Sequence, residues 1–143
     1  MKRSLSPQEI LEKHHIRSTD TRVQVLTHIH QSLHALSHNE IESFFKNRFD
    51  KVTLYRTLKT LWSKGLIHKI SSENEPTRYA TCQSNTCDHQ HHEDNHIHFK
   101  CLQCEKVFCL SQVDVPQVHL PLGFKATSMQ MMAEGCCDGC ELS

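Results

Sequence analysis

Residues 82–109 read CQSNTCDHQHHEDNHIHFKCLQCEKVFC. This stretch holds five cysteines and five histidines, a mixture that neither an apolar core nor a solvated surface requires. Thiolate sulfur and imidazole nitrogen are the ligands that zinc prefers. Two residues separate Cys101 from Cys104, and Cys137 and Cys140 repeat that spacing. These two pairs predict a tetrahedral four-sulfur zinc site that fastens the last segment of a small sheet to its middle.

The length and composition fit one compact domain or two small ones, since the chain has 143 residues. The first residues are polar, and no stretch is long and apolar enough to cross a membrane. We therefore expect a cytoplasmic protein with no membrane partner. In a reducing compartment, the eight cysteines indicate metal ligation rather than disulfides.

The net charge of zero conceals a division between two halves. Residues 1–70 carry twelve Lys and Arg against six Asp and Glu, whereas residues 71–143 carry four against ten. The first half can therefore approach a polyanion, while the second cannot. The alternative is that both halves carry ordinary solvated surfaces, which the same division of charge would also fit.

Four helices followed by a two-stranded ribbon are predicted in the first half. Ser6 and Ser37 each begin a capping box, the second helix starts near Thr19, and Asp50 caps the fourth. Gly65 ends that fourth helix. We predict buried faces from Ile41, Phe44 and Phe45 in the third helix, and from Leu54, Leu58, Leu61 and Trp62 in the fourth. Strands at 66–70 and 78–82 complete a winged helix-turn-helix.

The fourth helix is the candidate reader of double-stranded DNA. Its predicted exposed face includes Thr53, Tyr55, Arg56, Thr57 and Lys59. An arginine can contact guanine or phosphate, and a tyrosine can contact a thymine methyl or the backbone. Arg17 and Arg22, at the start of the second helix, could reach an adjacent minor groove or phosphates. The alternative is an amphipathic helix with an ordinary wet face.

The second half predicts strands at 96–100, 107–110 and 125–134, with a short helix or loop at 113–123. His96 and His98 alternate along a strand, so both imidazoles lie on one face. His68 and Cys82 lie at the boundary between the halves. A metal ion bound by these four residues would fix one half relative to the other, which is what a metal sensor needs.

The sequence resembles the ferric uptake regulator family of metal-dependent bacterial repressors. The resemblance is carried by TDTRVQVL (19–26), VTLYRTLKTLWSKGLIHKI (52–70), RYATC (78–82), HIHFKCLQC (96–104) and EGCCDGC (134–140). It implies an α+β fold, with a winged-helix DNA-binding domain at 1–82 and a small α/β dimerisation and metal-binding domain at 83–143. It also implies a homodimer that binds palindromic operators, with Tyr55, Arg56, Arg17 and Arg22 at DNA-contacting positions and the four zinc cysteines at structural positions.

The sensor positions resemble the zinc uptake regulator branch most. His68, Cys82, His96 and His98 match its sensory ligands, and Cys109 stands where iron sensors often carry a carboxylate, so it is a candidate substitute ligand. Sulfur at such a site suits Zn²⁺ better than Fe²⁺, although Fe²⁺ or Mn²⁺ binding there stays open. Asn95 and Ile97 replace residues of another regulatory site, which we expect to be absent or altered. Residues 87–94 form an insertion, predicted to be a mobile loop or a weak metal site.

These observations predict a cytoplasmic, dimeric, zinc-responsive repressor. The nearest alternative is an iron- or peroxide-sensing repressor of the same family. A zinc enzyme is a remote alternative, because no His-Glu-x-x-His helix or deaminase-type motif occurs. A metal buffer is also remote, because the predicted DNA-reading helix would then have no purpose. We therefore expect neither enzymatic activity nor a small-molecule substrate.

Overall fold

The computed structural model describes residues 5–81, 97–110, 113, 115–127 and 129–141. These residues belong to two compact units, divided between Thr81 and Cys82. Among the described residues, no helix is both long enough and apolar enough to cross a bilayer.

The first unit contains four helices, α1 (Pro7–Lys13), α2 (Asp20–Gln31), α3 (His38–Phe44) and α4 (Lys51–Ser63). Their starts are set by side-chain caps. Ser6 and Ser37 form the two predicted capping boxes, and Thr19 and Asp50 accept backbone N–H groups of α2 and α4. Gly65, with φ of 81°, allows the left-handed turn after α4. The predicted helices and their starts are thus confirmed.

A three-stranded antiparallel sheet completes this unit, with strands β1 (Leu36–Ser37), β2 (His68–Ile70) and β3 (Arg78–Ala80) in the order β1-β3-β2. The two longer strands are the predicted wing, but they are shorter than expected. Pairing between them extends over three residues on each strand, so β2 begins two residues after the predicted start at 66 and β3 ends at Ala80. The two-residue β1 was not predicted.

The core of the first unit is formed by the apolar faces of all four helices and by the sheet. Its fully buried members include Leu11, Val25, Ile41, Phe45, Leu54, Leu58, Leu61 and Ile67. Burial of such side chains is the main favourable term in folding. α4 therefore lies with one face against the core, which leaves its opposite face outward.

Three predictions of burial on these helices were wrong. Phe44 is 57% exposed and Trp62 is 43% exposed. Each ring gains a partner at the surface instead, since Phe44 stacks on His28 at a centroid distance of 3.7 Å and the Lys69 ammonium lies 4.8 Å from the Trp62 ring. Conversely, Thr57 is buried rather than exposed, and its hydroxyl donates to the Thr53 carbonyl at 2.8 Å.

The second unit is built on strands β4 (Ile97–Cys101), β5 (Val107–Leu110) and β6 (Met131–Gly135), in the order β5-β4-β6. β4 pairs antiparallel with β5 and parallel with β6. The predicted strand at 125–134 was too long, because among the described residues β6 pairs with β4 only over Met131–Gly135. A short helix, α5 (Asp138–Glu141), follows β6. The described residues between 113 and 123 form neither helix nor strand.

Candidate metal centre and nucleic-acid interface

The ends of β4 and β6 bring the two cysteine pairs together. Because these strands are parallel and in register, Cys101 lies opposite Gly135, and the chain after each strand turns at the same edge of the sheet. Leu102 N–H donates to the Gly135 carbonyl at 2.7 Å, and Cys140 N–H donates to the Cys137 carbonyl at 3.0 Å. The first bond holds the two turns side by side, and the second closes the turn that follows β6.

The sulfur atoms of the four cysteines lie within 4.8 Å of one another, in the one such group found among the described residues: Cys101, Cys104, Cys137 and Cys140. With Zn–S bonds of about 2.3 Å, tetrahedral coordination requires sulfur atoms about 3.8 Å apart. The Cys104 and Cys137 sulfurs are 3.9 Å apart. The four residues therefore fit a zinc ion bound through sulfur alone.

The backbone around the group favours a thiolate at its buried member. Backbone N–H groups of Cys104 and Cys137 point at the Cys101 sulfur, at 3.5 and 3.4 Å. These donors lower the pKa of Cys101 to about 6. The pKa of Cys140 is raised to about 12, first by its hydrogen bond with the Cys137 thiol and then by burial. The two N–H donors therefore favour the thiolate form of Cys101, the species that binds zinc.

The predicted sensor residues are only partly described. His68 is buried on β2 and His98 is buried on β4, each within its own unit. Cys82 and His96 lie outside the described residues, as does the whole insertion at 87–94. The grouping of the four sensor residues therefore stays a prediction.

Cys109 lies directly across from His98, on the neighbouring strand β5. Side chains of such cross-strand partners lie on the same face of a sheet, with their Cβ atoms about 5 Å apart. On the other side of β4, His98 is in register with Met132 of β6. The residues directly beside His98 on both neighbouring strands therefore carry sulfur, whereas ferrous sites are richer in carboxylates.

The outward face of α4 carries the predicted DNA-contacting residues. Tyr55 is 60% exposed, and Arg56 and Lys59 are also exposed. Thr53 is half-buried at the start of the helix, where its backbone N–H donates to Asp50 Oδ1 at 2.6 Å. The side chains therefore present a phenol ring and two cations on one helical surface.

Arg17 and Arg22 lie together at the start of α2. The Arg22 guanidinium donates from Nη1 to the Arg17 backbone carbonyl at 2.9 Å, and the Arg17 side chain is exposed. The first of these arginines is thus available to a ligand, while the second also holds the turn that precedes α2. Their contact with DNA stays a prediction.

Three further residues border the same surface and were missed by the sequence reasoning. His38, Lys51 and Val52 line an open groove of about 480 Å³ together with Tyr55, Arg56 and Lys59. Signals in the sequence could have indicated two of them. Lys51 places a cation at the first position of a helix, where the dipole disfavours it, and Val52 is apolar on a face that is otherwise polar.

Comparisons with known proteins agree with this geometry. The family model of the "Ferric uptake regulator family" matches residues 13–133. A comparison with curated protein sequences gave no match.

Solved structures of similar fold include a zinc uptake regulator complexed with zinc and DNA, with a TM-score of 0.66 and 20% identity over 94% of this chain and 90% of that one. The structure of holo XcZur has a TM-score of 0.66 and 20% sequence identity, over 92% of each chain. The ferric uptake regulator of Helicobacter pylori has a TM-score of 0.58 and 20% sequence identity, over 94% of this chain and 88% of that one.

The family match extends across most of the sequence and both units. It confirms the α+β fold that the motifs predicted, and it removes the enzyme alternative, since members of this family regulate transcription. The chain belongs to the ferric uptake regulator family and is a metal-responsive transcriptional regulator.

Proposed function

We propose that this regulator is a zinc-responsive repressor that acts in the cytoplasm and binds palindromic operator DNA as a homodimer. The observation that carries the zinc assignment is the cross-strand pair of His98 and Cys109 on β4 and β5. Imidazole with thiolate is a donor set typical of zinc, while ferrous iron and manganese favour carboxylates. His68, Cys82, His96 and His98 are the proposed regulatory ligands, with Cys109 as a further or substitute ligand.

The DNA assignment rests on α4 as the recognition helix. We propose that Tyr55 and Arg56 contact base edges, that Thr53 and Lys59 contact the neighbouring backbone, and that Arg17 and Arg22 contact phosphates or a minor groove. Support comes from the exposure of the α4 residues and from the fold shared with a zinc uptake regulator that was captured with DNA.

We assign dimerisation to the second unit, at 83–143, and DNA binding to the first, at 1–82. One face of the second sheet is apolar, and its larger side chains are only partly buried: Ile97, Phe99, Phe108, Leu110 and Met131. A second copy of the chain would cover this face. Regulators of the family are dimers. A dimer offers two recognition helices to the two halves of a palindromic operator, and metal at the sensor site would set their spacing to match consecutive major grooves.

The four cysteines serve a structural role in this proposal. Zinc bound to Cys101, Cys104, Cys137 and Cys140 would neutralise neighbouring thiolates and crosslink the ends of β4 and β6. Cys101 contributes a thiolate that two backbone N–H groups already stabilise. The regulatory ion is a second one, so its loss leaves the sheet of the dimerisation unit intact.

An anaerobic metal titration tests the proposal. Duplexes are first selected from a random DNA pool by the zinc-loaded protein, and their affinity is then measured in buffered Zn²⁺, Fe²⁺ and Mn²⁺. We expect two zinc ions per chain and DNA affinity that rises steeply with free zinc. Tighter DNA binding in Fe²⁺ or Mn²⁺, or release from DNA after peroxide treatment, would favour the iron- or peroxide-sensing alternative.

A further inference from the structure

The first turn of α4 differs in charge from the first turns of the other three helices of the first unit. α1, α2 and α3 each carry an acidic residue in the first turn, namely Glu9, Asp20 and Glu40, where it interacts favourably with the helix dipole. α4 has none there and begins instead with Lys51 and Val52. Lysine at this position and a β-branched residue both lower helix stability slightly.

Val52 is also conspicuously exposed, at 58%, at the edge of the groove bordered by α3 and α4. The rings of His38 and Tyr55 stand on the same groove, with centroids 6.2 Å apart and a tilt of 56°. The groove therefore presents the two methyl groups of Val52 near the aromatic ring of Tyr55. Its volume of about 480 Å³ leaves room for a flat ring with a small substituent.

Charge around the groove favours an anionic partner. Lys51, Arg56 and Lys59 line it, and none of the lining residues is acidic. The Glu42 carboxylate at its border is already paired, since it lies 3.3 Å from the Lys51 ammonium and 3.5 Å from His38 Nδ1. The Asp50 carboxylate is engaged in capping α4. The contact with Glu42 also holds Lys51 beside the groove.

We propose that Val52 is a specificity-determining residue that packs against the C5 methyl group of a thymine in the operator. The thymine methyl is the one apolar group that base edges display in the major groove, and it lies among phosphates that the surrounding cations would neutralise. Val52 thus selects thymine by apolar contact, while Lys51, held by Glu42, contacts the adjacent backbone. The inference rests on the proposed function, because it requires α4 to enter the major groove.

Substitution of deoxyuridine for thymidine tests this directly, because it removes the methyl and leaves the Watson–Crick edge unchanged. Each thymidine of a duplex selected by the zinc-loaded protein is replaced in turn, symmetrically in both half-sites, and affinity is measured by fluorescence anisotropy. Burial of one methyl corresponds to about a fourfold change per half-site. We expect one position to show this loss with the wild-type protein and to lose the effect with Val52→Ala.

Val118→Ala is the matched control, because Val118 is also an exposed valine, at 48%, and lies in the other unit. It should retain the full deoxyuridine effect. Circular dichroism checks that Val52→Ala remains folded, as expected for a change from valine to a better helix former. A second selection with Val52→Ala should recover duplexes without a preference for thymine at that position.

Two results would overturn the inference. If Val52→Ala binds the selected duplex and shows the same deoxyuridine effect as the wild type, another residue reads the methyl, and the proposed function is unaffected. If the zinc-loaded wild-type protein selects no duplex at all, the proposed function fails and the inference with it.

Discussion

The sulfur atoms of Cys104 and Cys137 lie 3.9 Å apart, although the two residues are 33 positions apart in the chain. Cys104 follows β4 and Cys137 follows β6, so this proximity depends on the parallel pairing of the two strands. Two thiolates at that distance repel each other unless a cation or a shared proton lies between them. The sheet and the zinc ion are therefore expected to stabilise each other.

Cys104→Ser should remove one zinc ion per chain and unfold the dimerisation unit. Structural zinc supplies about 10–16 kcal/mol in small finger peptides, which exceeds what a three-stranded sheet of this size can replace. Metal analysis and thermal unfolding measure the two effects. Cys136→Ser is the control, since Cys136 is exposed and lies outside the four-cysteine group. Full zinc content in Cys104→Ser would contradict the assignment.

Arg56→Ala should weaken operator binding by about 1–3 kcal/mol if the guanidinium contacts a base, and should relax the preference at one position. If Arg56 contacts only phosphate, all sequences should weaken equally and the salt dependence should become shallower. Anisotropy titrations at several salt concentrations separate these outcomes. Lys64→Ala provides a matched loss of one cation at the far end of α4, where we expect little change.

His98→Ala should abolish the response of DNA affinity to zinc while the structural zinc remains bound. Its cross-strand partner gives a sharper test, because Cys109→Asp replaces sulfur with a carboxylate at the same register. That variant should respond to Fe²⁺ or Mn²⁺ at lower concentrations than the wild type does. An unchanged zinc response in both variants would exclude this face of the sheet from the regulatory site.

Acidification should destabilise the first unit through His28. Burial lowers the pKa of this histidine below its usual value of 6.5, so the folded protein binds its proton less readily than the unfolded chain does. The stability that neutral His28 contributes is present above pH 6.5 and is lost as the pH falls through the lower, folded-state value. NMR titration of the imidazole gives the pKa, and chemical unfolding at several pH values gives the stability.

The control for this pH effect is the variant His28→Gln, which removes the titrating group. Its unfolding free energy should depend less on pH between neutrality and mild acid than that of the wild type. The matched control is His119→Gln, which replaces an exposed histidine in the other unit. An identical pH profile for His28→Gln and wild type would refute the assignment.

Ser37→Ala should lower the free energy of unfolding of the first unit by about 1 kcal/mol. Ser37 is buried, and its hydroxyl accepts the Glu40 backbone N–H at 3.2 Å while the Glu40 carboxylate accepts the Ser37 N–H at 2.7 Å. Ser43→Ala, an exposed change on the same short helix, should cost far less. Urea unfolding of both variants makes the comparison.

Local signals in the sequence were sufficient for the starts of the helices and for the four-cysteine group. Caps such as Ser37 and Asp50 act within one turn, and the two-residue spacing of Cys101 and Cys104 is itself a turn geometry. The family motifs added the pairing of these elements into one fold. These predictions needed no knowledge of distant parts of the chain.

Features that depend on tertiary contacts were predicted less well. Phe44 and Trp62 are apolar and fit the helical period, yet each lies at the edge of a buried face, where His28 or Lys69 provides a surface partner. The length of β6 was overestimated because β4, which it pairs with, sets its limits. The groove beside Val52 requires α3 and α4 in position, which no local pattern specifies.

The parallel alignment of β4 and β6 has a bearing on how this chain can diverge. Since the strands, and not the connection between β5 and β6, bring the cysteine turns to one edge, that connection can gain or lose residues without disturbing the ligands. The entropic cost of closing a loop grows only with the logarithm of its length, so added residues cost little. Related sequences are therefore expected to accept insertions there far more readily than a shift of a single residue within either strand.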